Sequence, residues 1–140
     1  MCMEYVDVLE SLLRSEELPV PFLRMEVADR KRFNFFDTTA SFSYAIAAFS
    51  ITHTPGLLVI HDAWVNDAYR GKGLGFALAK ARVEAYQKLL AMETCAQDNL
   101  DMVARVAARN TKEQNILEDL GWIRLNTTLW TLPKGISGAY

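Results

Sequence analysis

Cysteine and histidine are scarce in this chain, two of each among 140 residues. Cys2 and Cys95 form no metal-type cluster. His53 and His61 are too few to build a zinc site, so no metal ligands are assigned. Long apolar runs are missing too, and no stretch could span a bilayer. The opening Met1-Cys2-Met3-Glu4 lacks the charged-then-apolar architecture of a signal sequence. These absences point to a cytoplasmic protein without membrane contact. An excess of positive charge is also lacking. The net charge is −2 and the pI near 5.7, which argues against a dedicated nucleic-acid binder with its basic face. No internal repeat, linker or low-complexity segment interrupts the sequence.

What is present is the balance of an ordinary globular protein, 51% apolar and 23% charged. The length suits a single domain over residues 1–140 with a core of its own. Tyr5, Leu9, Leu12 and Leu13 share one helical face, and that helix should stop before Pro19-Val20-Pro21. Residues 22–27 fit a strand or a helix turn equally. Residues 28–39 alternate polar and aromatic without a readable period. Residues 41–52 read as a buried strand, Thr54-Pro55-Gly56 as a turn, and 57–65 as the returning strand of an antiparallel hairpin. Leu74, Leu78, Ala81, Ala85 and Leu89 then mark one face of a helix, with Glu84 placed to pair with Lys88. A strand over 103–109 follows. Asn110 starts a short helix with Glu113 at the capping-box position, and Gly121 ends it. One or two strands close the chain over 122–132.

The most informative stretch is Arg70-Gly71-Lys72-Gly73-Leu74-Gly75. It stands between a strand and a helix, where glycines let backbone N–H groups approach a ligand. The helix start adds unpaired N–H groups and the positive end of its dipole, and Arg70 and Lys72 add charge. The combination suits a diphosphate. A Rossmann-type nucleotide site fits less well, because the preceding strand belongs to a hairpin.

Four features together resemble the GCN5-related N-acetyltransferase (GNAT) family: the loop with Arg70, Gly73 and Gly75; the preceding strand 58–65; Asn110 after a later strand; and Leu120-Gly121-Trp122. The resemblance covers residues 57–122 and leaves residues 1–40 atypical. It implies an α/β fold of α+β type, with a mixed, mostly antiparallel sheet whose central strands splay apart between flanking helices. It also implies acetyl-CoA as cofactor. Residues Arg70, Gly71, Lys72, Gly73, Leu74 and Gly75 would bind the pyrophosphate, backbone near Trp64 and Val65 the pantetheine, and Asn110 would line the gap. Asn110 equally suits a plain helix cap.

Acetyl transfer to an amine needs a base. His61, on the strand before the loop, is the first candidate, with a neutral imidazole that can take the proton. Asp62 is the second, although adjacent strand residues face opposite ways. The resemblance departs at Leu117, where many members carry a tyrosine that acts as general acid; Tyr69 and Tyr140 are the remaining phenols of interest. Phe33, Phe35, Phe36, Phe42 and Tyr44 read as core or as the wall of an acceptor site. Arg30-Lys31-Arg32 reads as surface.

The expected function is an acetyl-CoA-dependent N-acetyltransferase acting on a primary amine of a small molecule or protein. The acidic balance favours a cationic acceptor. The alternative is a catalytically weak acyl-CoA-binding regulator that contacts a partner protein. The apolar final segment Leu129, Trp130 and Leu132 would offer it, or a homodimer, an exposed edge.

Overall fold

The computed structural model describes residues 4–92 and 100–133. Cys2, Cys95 and Tyr140 lie outside the described residues. The chain runs α1 (Tyr5–Ser15), β1 (Leu23–Ala28), β2 (Arg32–Asp37), β3 (Ala47–Thr54), β4 (Leu57–Val65), a short 3₁₀ turn (Asp67–Tyr69), α2 (Leu74–Leu90), β5 (Asp101–Arg105), α3 (Thr111–Asp119), β6 (Ile123–Arg124) and β7 (Leu129–Thr131). The strands form one seven-stranded sheet in the order β1-β2-β3-β4-β5-β7-β6. All neighbours are antiparallel except β4 and β5. The parallel pair requires a crossover, and α2 supplies it.

Alternation along the strands sends Phe33, Phe35, Phe49, Ile51, Leu58 and Ile60 to one face. There they meet Tyr5, Leu9 and Leu13 of α1 and Leu74, Leu78, Ala85 and Leu89 of α2 in a single buried cluster. Phe33 stacks on Phe49 with ring centroids 4.9 Å apart. Each such ring contributes about 1.5–3 kcal/mol by leaving water. The Tyr5 hydroxyl, fully buried, donates to the Arg82 carbonyl at 2.7 Å and fastens α1 to α2. The opposite face carries Arg32, Ser50, Thr52, His61 and Arg105.

Several expectations are corrected. The ambiguous residues 22–27 and the unreadable 28–39 form a hairpin, with Leu23 opposite Asp37 and Val27 opposite Phe33. Arg30, in its turn, bonds Glu4 and Asp7 of the N-terminal helix region at 2.9 and 3.0 Å. The strand expected over 41–52 begins only at Ala47. Residues 38–46 are a loop, because its backbone turns back locally; Ala40 N donates to Asp37 O at 3.2 Å. Phe42 and Tyr44 stack on each other there, 4.2 Å apart; Phe42 is half-buried against the core, whereas Tyr44 is exposed and is not core. The strand expected over 103–109 is Asp101–Arg105. Past it, Val106 N still donates to Thr128 O, 2.8 Å away, following the β7 side. On α2 the ion pair is Lys80–Glu84 at 3.9 Å, not Glu84–Lys88. Trp130 and Leu132 are buried against the sheet's core face, so the final segment is no exposed apolar edge. The exposed apolar side chains at that end are Ile123 and Leu125.

Candidate active site

Pairing between β4 and β5 runs from Leu57/Asp101 to His61/Arg105 and stops. Beyond it, β4 stays with β3, pairing Trp64 with Ala48 and Val65 with Ala47. The chain leaving β5 stays with the β7 side, where Val106 N donates to Thr128 O. The two strands therefore part, and the gap is spanned by one side chain. Asn110 donates through Nδ2 to the Ala63 carbonyl at 3.0 Å and accepts through Oδ1 from Glu113 N at 3.2 Å. It is the α3 cap and also the tie between that helix and the lip of β4. Glu113 does not complete the capping box. Its carboxylate is buried against Arg82 of α2 at 2.8 Å.

The glycine loop closes one end of the gap. Gly71 and Gly73 have φ of 79° and 82°, a region that costs side-chain-bearing residues about 1–2 kcal/mol. Around a Cβ at Gly71 there would be nothing within 4 Å, so this backbone is open to a ligand. No side chain caps the α2 N-terminus at Gly73. Gly75 does different work: a Cβ there would lie 3.1 Å from Ile116 and 3.5 Å from Val65. Its lack of a side chain lets α2, α3 and β4 converge. Arg70 is not free to meet an anion alone. It donates from Nε to the Val65 carbonyl at 3.1 Å and pairs with Asp67 at 2.6 Å. Lys72 Nζ sits over the Tyr69 ring, 5.6 Å from its centroid.

Two cavities meet here. One of about 340 Å³ is lined by the loop, Tyr69, Val65 and the first turns of α3. The other, about 790 Å³, is lined by His61, Asp62, Ala63, Arg105 and Arg109 among others. Trp64, Arg70, Asn110 and Lys112 border both. Around these cavities lie His61, Asp62, Trp64, Val65, Arg70, Gly71, Gly73, Leu74, Gly75 and Asn110, while Lys72 lines neither; Leu117 is buried in the core and has no proton to give.

The relation of His61 to Asp62 differs from the strand rule. Between Ser50/His61 and Ala48/Trp64, two steps on β3 match three on β4. The extra residue is a bulge with Asp62 at φ 55°. It breaks the alternation and turns the carboxylate back to its neighbour, so that His61 Nδ1 and Asp62 Oδ2 are 3.1 Å apart. A carboxylate only accepts, so Nδ1 carries the proton in this pair. In the neutral ring Nε2 is then the acceptor, and the Thr52 hydroxyl donates to it at 3.0 Å. Thr52 and Arg105 were invisible as site residues in the sequence, because only the register brings them beside His61; Arg109 reaches the same cavity on the loop after β5.

The family model for the acetyltransferase (GNAT) family matches residues 14–110. No curated protein matches the chain. Among solved structures, a Klebsiella pneumoniae protein described as an acyl-CoA N-acyltransferase superposes with a TM-score of 0.51 at 11% identity, covering 91% of this chain and 84% of that one. A GCN5-related N-acetyltransferase from Sphaerobacter thermophilus gives 0.52 at 18% identity, covering 66% of this chain but 28% of its own length. With a splayed parallel pair, a glycine loop at its mouth and a family model matched over well more than half its length, the chain belongs to the GNAT family of acetyltransferases.

Proposed function

We propose that the protein is an acetyl-CoA-dependent N-acetyltransferase whose acceptor is a primary amine. The observation that carries this reading is the gap between β4 and β5 with the uncapped α2 N-terminus at its mouth. These residues suit the cofactor: the loop backbone is open at Gly71, Gly71 and Gly73 line the smaller cavity, and a helix N-terminus favours phosphate charge. Lys72 and Lys112 add positive charge, and the lip of β4 at Trp64 and Val65 lines the gap. Bound there, acetyl-CoA supplies an activated acetyl group.

The rest falls to this chain's side chains. An amine attacks only after losing its proton, and His61 is the base. Asp62 holds the ring in the tautomer that leaves Nε2 basic, and Thr52 occupies that lone pair until an acceptor replaces it. Asp62 is therefore a positioning residue rather than a second base. Tyr69, the phenol beside the loop, already donates to Asp37 at 2.5 Å. The partner-binding alternative loses the edge assigned to Trp130 and Leu132, which are inside, and retains only Ile123 and Leu125 there.

The test is thiol release from acetyl-CoA across a panel of primary amines, with His61→Ala beside the native protein. Loss of a base lowers kcat by about 10²-fold or more, while acetyl-CoA affinity should hold within twofold. An unchanged rate in the variant removes His61 from the reaction. No thiol release with any amine contradicts the transferase reading.

A further inference from the structure

The larger cavity carries more positive charge than the reaction so far uses. Arg105, Arg109 and Lys112 line it, and none has a carboxylate partner among the described residues. The acids in the same lining are already engaged, Asp67 by Arg70 at 2.6 Å and Asp62 by His61 at 3.1 Å. Arg105 is also the register partner of His61. In a parallel pair the two side chains leave the sheet on one face, from strands about 4.8 Å apart. Arg109 rides on a fixed loop, because Gln114 Nε2 donates to the carbonyls of Ala107 and Ala108 at 3.1 and 2.9 Å. A protein of net charge −2 thus places unpaired cations beside its candidate base.

That arrangement bears on the acceptor. A polycation approaching His61 would meet the Arg105 guanidinium at close range and be repelled. An amine with its own anion a few bonds away would present the ammonium to His61 and Asp62 and the anion to the arginines, whose planar donors match carboxylate and phosphate. We infer that the acceptor carries a carboxylate or phosphate near its reactive amine, and that Arg105 and Arg109 are the residues that select it. This rests on the transferase reading and reverses the cationic acceptor suggested by overall charge.

The experiment uses four amines of matched length: ethanolamine, β-alanine, O-phosphoethanolamine and 1,3-diaminopropane. The kcat/KM for acetylation is measured for the native protein and for Arg105→Gln/Arg109→Gln. Binding of O-phosphoethanolamine without cofactor is followed by NMR, together with acetyl-CoA affinity. The expected result is a tenfold or greater advantage of the anionic amines over ethanolamine, with the diamine slowest. The variant should lose that advantage through KM and lose the NMR binding, with acetyl-CoA affinity unchanged. Comparing β-alanine with O-phosphoethanolamine tells carboxylate from phosphate. Preference for the diamine, equal rates for all four, or the same ranking in the variant overturns the proposal. A tenfold loss of acetyl-CoA affinity in the variant also overturns it, because the arginines would then serve the cofactor. Anion binding that the variant abolishes, without any acetyl transfer, leaves the anion site standing and defeats the transferase reading instead. Absence of both binding and preference in the native protein defeats the site.

Discussion

Asp62 has a left-handed backbone, φ 55°, in the middle of a strand. Aspartate tolerates that region better than most residues, and here the bulge turns its carboxylate onto His61. Alternation alone predicts opposite faces for the two residues. A one-residue bulge leaves no mark in the local pattern, which is why the pairing was illegible and the identity of both residues was not. Asn110 was legible as a cap because Asx residues at that place have one dominant use; its second bond, to Ala63, depends on a strand 47 residues away. At this scale the Asp37–Tyr69 hydrogen bond makes a pH prediction. Bonds from Thr39 and then from Tyr69 lower the Asp37 pKa, and the bond to Asp37 raises that of Tyr69. A lowered carboxylate stabilises the fold above its unfolded pKa, and that contribution is lost as pH falls through the folded value. A raised phenol stabilises below its unfolded pKa, with loss as pH rises through the folded one. Tyr69→Phe should therefore melt below the native protein near neutrality. The gap in Tm should close in acid below the ordinary carboxylate range and again in alkali above about pH 10. A gap constant from acid to alkali would remove this bond from the stability of the loop.

Among the elements, α2 and α3 depend on a pair that the sequence half conceals. Arg82 is buried with Glu113 at 2.8 Å, and its guanidinium lies over Phe49 at 4.8 Å. Glu113 in a capping-box position reads as a residue that serves its own helix. The signal that pointed elsewhere was Arg82 itself, a charge in the apolar row Leu78–Arg82–Tyr86–Leu89. Removing one partner strands the other charge in the core. Arg82→Met alone should cost about 3–5 kcal/mol in urea unfolding, and the double variant Arg82→Met/Glu113→Leu should recover most of it. Additive losses would show that the two side chains act independently. The helices were legible because their apolar stripes are long. The β1–β2 hairpin was not, since six residues satisfy either period. The onset of β3 was hidden too. Residues 47–51 are all buried, so no alternation separates the strand from the aromatic loop before it.

For the whole molecule, overall charge and the charge at the cavity differ. Net charge describes the surface average, while the cavity beside His61 gathers Arg105, brought in by strand register, and Arg109, carried on the loop after β5. The final apolar segment was misread for a related reason: β7 lies between β5 and β6, so its Trp130 faces the core and only the outer Ile123 and Leu125 stay exposed. The central claim is that the glycine loop and the parted strands hold acetyl-CoA. Isothermal titration of the protein with acetyl-CoA tests it most directly, with Gly73→Ala as the control for the loop. Near-stoichiometric binding with a Kd of roughly micromolar order is expected, weakened at least tenfold in the variant while the variant remains folded. Folded native protein that releases no binding heat and shows no retained cofactor on dialysis would contradict it.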